Sequence, residues 1–340
     1  MNRQFFDVRG LVQCLVLGWV LIFQTACQPA FERVEGATMG TYYGVIYQGC
    51  EVSQLEIEQV LTNLNAAFST YLPDSEISKF NRSAAHISVE ISEHFAAPLA
   101  AAANMWLETD GALDPTVGPL VDLWGFGAER GSEDPSQAEQ DEVSRVVGWQ
   151  QLTFQDRTIS KDVDGLRLDL SAIAKGYAVD VLARLVSQAG CNNYMVDIGG
   201  EMSVAGQNAD GGPWRLGIER PDPDALGVIQ LVLEVTDMGI ATSGDYRNYR
   251  VIDGKRVDHV MDPRIGRPAD NQVVSATVIH PETMYADGYA TAAMVLGVEQ
   301  ALKLADEKGF AVLVMTRSED DAAAELHYNS LMTNYMVSTQ

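Results

Sequence analysis

From Leu166 to Asp180 the chain reads L-R-L-D-L-S-A-I-A-K-G-Y-A-V-D, and its hydrophobic period changes midway. Leu166, Leu168 and Leu170 alternate with Arg167 and Asp169, the period-2 pattern of a half-buried strand. Ile173, Tyr177, Val181 and Leu185 then recur at four-residue spacing, with Leu182 beside them, which predicts an amphipathic helix. The junction carries Asp169, Ser171, Lys175 and Gly176. A helix N-terminus offers unpaired N–H groups and a positive dipole end, which suits a phosphate. The same residues also read as a Ser171 cap with Asp169 and Lys175 as solvated charges, and the stretch alone leaves both readings open.

The rest of the chain mixes strands and helices without strict alternation. Phe31–Tyr47 reads as opening strands, broken at Thr38–Thr41, and Val52–Leu64 and His94–Thr109 read as helices. Further strands are expected at Tyr194–Ile198, Trp214–Glu219, Val228–Val235, Val273–Ile279 and Phe310–Met315, and further helices at Tyr285–Leu296 and Val298–Ala305. Ala112–Gly127, with two prolines and several glycines, predicts no regular element. Such a loop is either packed structure or the wall of a binding site. The expected class is α+β, with mixed, largely antiparallel sheets and packed helices. The expected division is a signal peptide over 1–27, a linker over 28–36, one catalytic domain over 37–330 and a polar C-terminal tail over 331–340.

The N-terminus is a targeting signal. Arg3 and Arg9 precede an apolar run from Leu11 to Phe23, too short to span a bilayer comfortably. The run ends at Gln24-Thr25-Ala26-Cys27, similar to a lipobox with Gln24 where Leu is usual. The expectation is an inner-membrane lipoprotein facing the periplasm and anchored through Cys27, with a soluble periplasmic protein as second choice. Of the four cysteines, Cys50 and Cys191 remain beyond that point. Free or buried thiols are the preferred reading, since nothing in the sequence fixes a pairing geometry.

A formal net charge of −24 argues against nucleic acid and against adsorption to anionic lipid. It also makes a phosphate-rich ligand hard to hold without a local cation. Asp287 and Thr291 lie four residues apart, on one face of the helix expected there, and small residues at Gly288, Ala290, Ala292 and Ala293 leave room for close approach. One carboxylate with neutral oxygens is a common way to hold Mg²⁺. The plainer alternative has Thr291 bonding within its own helix and Asp287 capping the N-terminus. Neither G-x-x-x-x-G-K-[ST] nor G-x-G-x-x-G after a strand is present, which disfavours a P-loop enzyme and a standard dinucleotide-binding fold, and G-x-S-x-G is absent too. Among the five histidines, His259 sits between Asp258 and the Met261-Asp262-Pro263 turn, either as a buried hydrogen-bonded residue or as a general base.

In order along the chain, these stretches resemble the ApbE family, the FAD:protein FMN transferases. The motifs are Met39-Gly40-Thr41, Ser69–Asn81, Asp114–Leu120, Leu168–Ser171 with Ala174–Ala178, and Ile198-Gly199-Gly200. They continue with Thr242–Tyr246, His259 with Asp262-Pro263, and Asp287–Thr291. The resemblance implies an enzyme that uses Mg²⁺, cleaves the FAD pyrophosphate, releases AMP and joins FMN through its phosphate to a Thr or Ser of a target protein. It implies that Met39, Tyr71, Ala112, Leu113, Asp114, Asp169, Lys175 and Met261 line the FAD site. The Ala172 carbonyl, Asp287 and Thr291 would hold Mg²⁺. Membrane redox subunits, such as those of Na⁺-translocating NADH:quinone reductase or Rnf complexes, are the implied acceptors. A Thr hydroxyl needs a base, for which His259 and Asp262 are the candidates. A Mg²⁺-dependent FAD pyrophosphatase and a non-catalytic flavin-binding lipoprotein are the competing readings.

Overall fold

The computed structural model describes residues 30–127, 135–222, 227–245, 249–252, 255–317 and 324–337. Cys27 and the rest of the signal segment lie outside them.

In chain order, β1 (Phe31–Thr38) and β2 (Thr41–Gln48) form a hairpin, followed by α1 (Gln54–Phe68) and α2 (Glu76–Arg82). Next come β3 (Val89–Glu90), α3 (Glu93–Glu108), α4 (Gly118–Leu123), α5 (Gln137–Ser144), β4 (Leu152–Gln155) and β5 (Thr158–Lys161). Helix α6 (Ser171–Gln188) leads to β6 (Asn193–Ile198) and β7 (Glu201–Ala205), and then to β8 (Trp214–Glu219) and β9 (Ile229–Val235). The chain continues through β10 (Met238–Gly244), β11 (Tyr249–Ile252), β12 (Lys255–Asp258), β13 (Met261–Asp262), β14 (Arg267–Pro268) and β15 (Val273–His280). It closes with α7 (Thr283–Lys308), β16 (Ala311–Thr316) and β17 (Glu325–Tyr328). Serines open several helices: Ser75 Oγ accepts from Ser78 N at 3.1 Å, and Ser136 and Glu139 form a reciprocal capping box.

Eight strands make the main sheet in the order β1-β2-β6-β7-β10-β15-β16-β17, with every pairing antiparallel. The α+β expectation therefore holds. Helices α6 and α7 cover one face, where Ile173, Ala178, Val179, Ala290 and Ala293 pack against Val196, Ala276 and Val278. The β8–β9 hairpin covers part of the other face through Trp214, Leu216 and Leu233 over Ile240, Ile279 and Leu313. Double coverage explains why β15 and β16 are almost continuously buried instead of alternating. Helix α7 is broken at Gly297, which takes a left-handed φ of 77°, at the boundary between the two helices expected from sequence.

Several expectations change. Residues 31–36, assigned to the linker in the domain division, pair along β1, and Phe31 meets Trp214 edge to face at 5.7 Å. The polar tail is docked as far as residue 337: Met332 is fully buried, and Val337 N donates to Val232 O at 3.1 Å. The irregular loop contains a short helix, α4, because Pro119 stands in its first turn, where the missing N–H costs nothing. Cys50 and Cys191 form a disulfide, their Cα atoms 5.2 Å apart, which joins the end of the β1–β2 hairpin to the α6–β6 connection. A sequence separation of 141 residues hid that proximity.

Candidate active site

The approach to α6 keeps its predicted burial but not its predicted strand. Leu166, Leu168 and Leu170 are buried, yet the segment makes only an isolated bridge at Arg167. Side chains and a loop satisfy its backbone instead. Asn81 bonds both N–H and C=O of Leu168, at 2.7 and 2.9 Å, and Asp169 N donates to Pro115 O at 2.7 Å. Ser171 is not the cap. The Asp169 carboxylate accepts from Ser171 N at 2.8 Å, a negative group at the positive end of α6.

One turn into α6, Gly176 lets α7 come close. A Cβ there would stand 2.5 Å from Thr283 O and 2.8 Å from Met284 Cα. The Gly176 N–H donates to Asp287 Oδ2 at 2.9 Å, so the same contact orients a carboxylate. Asp287 does not cap its helix, because Asp180 of α6 accepts from Thr283 N and Met284 N, each at 2.9 Å. Thr291 meets Ser243 of β10, Oγ to Oγ1, at 3.1 Å. Both side chains therefore face the interior between α7, α6 and the sheet. Gly176→Ala is expected to push the two helices apart, costing about 1–3 kcal/mol of stability, the usual range for overpacking. Denaturant unfolding checks this, with a lower midpoint than the parent as the expected result.

Lys175 and Glu201 complete the cluster. Lys175 Nζ lies 2.7 Å from Glu201 Oε1 and 3.8 Å from Asp287 Oδ1. Burial pushes the Glu201 carboxyl up to about 7, against the pull of Lys175 and with the help of Asp287. Burial likewise raises Asp287, opposed by Lys175 and the Gly176 N–H. Burial alone would lower Lys175, but Asp287 and Glu201 hold it above the ordinary lysine value. Glu201 Oε2 is buried without a hydrogen-bond partner among the described residues. Two buried carboxylates face one ammonium, and a further cation would favour the charged form of both.

The cluster forms part of the lining of a cavity of about 540 Å³, a volume ordinary for a ligand site. The segments that build it are spread along most of the chain, from Tyr42 to Thr291. The ApbE family model matches residues 39–314, well over half of the sequence. The chain belongs to the ApbE family. It is 42% identical over 309 residues to a protein of Vibrio cholerae named FAD:protein FMN transferase, covering 88% of this chain and 92% of that one. A protein of the same name from Escherichia coli K12 is 40% identical over 297 residues, covering 84% of each. Among solved structures, the flavin transferase ApbE from Vibrio cholerae superposes with a TM-score of 0.82 at 40% identity, covering 90% of this chain and all of that one. The apo flavinyl transferase ApbE of Pseudomonas stutzeri gives 0.83 at 35%, with 92% and 99% covered. As an ApbE protein the chain is a transferase, and the non-catalytic lipoprotein reading falls.

Within this ApbE site, Ala112, Leu113, Asp114, Asp169, Ala172, Lys175, His259, Met261, Asp287 and Thr291 all line the cavity. Asp114 acts through its loop: its carboxylate accepts from Thr116 N, Thr116 Oγ1 and Trp149 N at 2.8, 2.6 and 3.0 Å. Burial still pushes its pKa up against those bonds. The ring of His259 lies 6.3 Å from that of Phe126, centre to centre. Three candidates stand apart. Met39, at a left-handed φ of 49° in the β1–β2 turn, and Tyr71, 72% exposed, do not line the cavity. Asp262 does not line it either. Arg264 clamps it with Nε to Oδ1 at 2.9 Å and Nη2 to Oδ2 at 2.8 Å, and Arg264 N adds a third bond. Sequence reasoning missed Glu201 and Ser243. Their signals were the acidic residue directly after Gly199-Gly200 and the hydroxyl within the Thr242–Asp245 motif.

Proposed function

We propose that this ApbE protein is a Mg²⁺-dependent FAD:protein FMN transferase. The observation that carries the reading is the convergence of Lys175, Asp287, Thr291 and Glu201 on one cavity that His259 also lines. The donor set suits the metal. Asp287 is a nearly buried carboxylate whose second oxygen is already oriented by Gly176, and Thr291 supplies a neutral oxygen one helical turn on. Among the described residues no group of three or more His, Cys, Asp and Glu side chains is placed to hold a metal. Mg²⁺ commonly takes one or two carboxylates from the protein and completes its shell with water and substrate phosphate. The Ala172 carbonyl, Asp287 and Thr291 would hold it. Once bound, Mg²⁺ supplies charge neutralisation on the pyrophosphate and the AMP leaving group.

The chain's own residues do the remaining work. Lys175 presents an ammonium to phosphate oxygens in a protein otherwise strongly negative. Ala112 and Leu113, held by the Asp114–Thr116–Trp149 bonds, offer an apolar wall, and Met261 adds to it. His259 takes the proton from the acceptor Thr or Ser hydroxyl. That oxygen forms the new bond to the FMN phosphorus as the bond from phosphorus to the bridging oxygen breaks. AMP departs with the bridging oxygen, so atoms and charge balance. The test is AMP release from FAD by the purified protein with an acceptor present. It should require Mg²⁺ and stop on chelation. Release that is indifferent to the chelator would overturn the metal assignment.

Acceptors of the class implied by the family resemblance, membrane redox subunits exposed outside the cytoplasm, need the enzyme on that side. We infer export with lipid attachment at Cys27. The Cys50–Cys191 disulfide supports an oxidising compartment, and among the described residues no helix is long and apolar enough to cross a membrane. Labelled palmitate should enter the parent and not Cys27→Ser. Equal labelling, or none in the parent, would remove the anchor.

A further inference from the structure

Glu201 is the first residue of β7, reached through Gly199 and Gly200, both in left-handed conformation with φ of 64° and 105°. That tight turn buries a carboxylate, 4% exposed, against the side of α6 that carries Lys175. Lys175 is the long member of the cluster, its side chain 30% exposed, and two carboxylates lie within its reach. Asp287 has one oxygen committed to Gly176 N, so Oδ1 is the atom that faces the ammonium at 3.8 Å. The 2.7 Å contact goes to Glu201 instead. The second oxygen of Glu201 is buried and has no hydrogen-bond partner among the described residues. Leaving a buried carboxylate oxygen unpaired is costly, so the residue is poorly explained as a structural staple.

We propose that Glu201 is a positioning residue that holds the Lys175 ammonium off Asp287 and so keeps Asp287 Oδ1 open to a divalent cation. The inference rests on the Mg²⁺ reading of this site and deepens it. Without the Glu201 charge, the ammonium has one anionic partner left nearby, and it closes onto the atom the cation needs. Lys175 then becomes an internal competitor of the metal. With Glu201 in place the same ammonium stays in the cavity, ready for phosphate, and the carboxylate stays ready for the ion.

The experiment uses the full chain and Mn²⁺ as the probe, with binding read by electron paramagnetic resonance of the free ion and no turnover involved. Glu201→Gln, nearly isosteric, should weaken Mn²⁺ binding about 10–100-fold, the range for residues that support metal ligands. Adding Lys175→Met to Glu201→Gln should restore binding to near the parent value, because the competitor is gone. Lys175→Met alone should bind Mn²⁺ at least as well as the parent, which keeps the test alive if Glu201→Gln fails to fold. Parent-like affinity in Glu201→Gln would overturn the proposal, as would a double variant no better than the single one. The latter would make Glu201 a direct ligand. If the parent itself binds no Mn²⁺ while Asp287→Ala behaves identically, the Mg²⁺ reading fails first, and the inference with it.

Discussion

Asp287→Ala is expected to cut AMP release from FAD by about 10³-fold or more, since losing the one carboxylate of the proposed cation site would remove several kcal/mol of charge stabilisation. The alanine also strips Gly176 N–H of its acceptor, and an unsatisfied buried donor costs about 1–3 kcal/mol. A loss of activity could then be confused with a loss of fold. Asp287→Asn separates the two, because its amide oxygen can still accept from Gly176 while the charge is gone. The asparagine variant should melt close to the parent and remain as inactive as the alanine variant. An Asp287→Asn protein that turns over normally in limiting Mg²⁺ would show that this carboxylate does not carry the cation.

His259→Asn should leave FAD and cation binding in place and slow flavin transfer by about 10²–10⁴-fold, the usual worth of a positioned general base. The structure sharpens this expectation. Of the two candidates, Asp262 is bound by Arg264 through both oxygens and lies outside the cavity, whereas His259 lines it. Rate per folded molecule is the quantity to measure. A structural histidine would lower the melting temperature and leave that rate unchanged. Asp262→Asn should show the opposite pattern to His259→Asn, with lower stability of the 262–268 turn and near-normal transfer by the folded fraction.

What was readable in the sequence was what local periodicity and spacing control. The change of period near Leu170 located the start of α6, and the four-residue spacing of Asp287 and Thr291 put both on one face of α7. The Leu166–Leu170 alternation gave the right burial and the wrong element, because burial follows from side-chain pattern, whereas strand pairing depends on which backbone lies alongside. Here Asn81 and Pro115 took that place, and neither is near in sequence. Glu201 is marked in the sequence only by its place after Gly199-Gly200, and its pairing with Lys175 is not legible there: it belongs to another element, and only the packing of β7 against α6 brings the two together. The β2–β6 pairing and the Cys50–Cys191 bond likewise join distant segments that no local pattern links. Asp262 shows the converse. Arg264 stands two residues away, and that neighbour could have been weighed as a partner from the sequence alone.

The most direct test is one incubation: the purified protein, FAD, Mg²⁺ and an acceptor subunit, resolved on a denaturing gel and viewed by flavin fluorescence, with AMP quantified from the same tube. A flavin transferase gives a fluorescent acceptor band that survives denaturation and one AMP per flavin attached, and both are lost with Asp287→Asn. AMP with free FMN and no fluorescent band, across acceptors bearing an accessible Thr or Ser, would contradict the account and make the protein a pyrophosphatase.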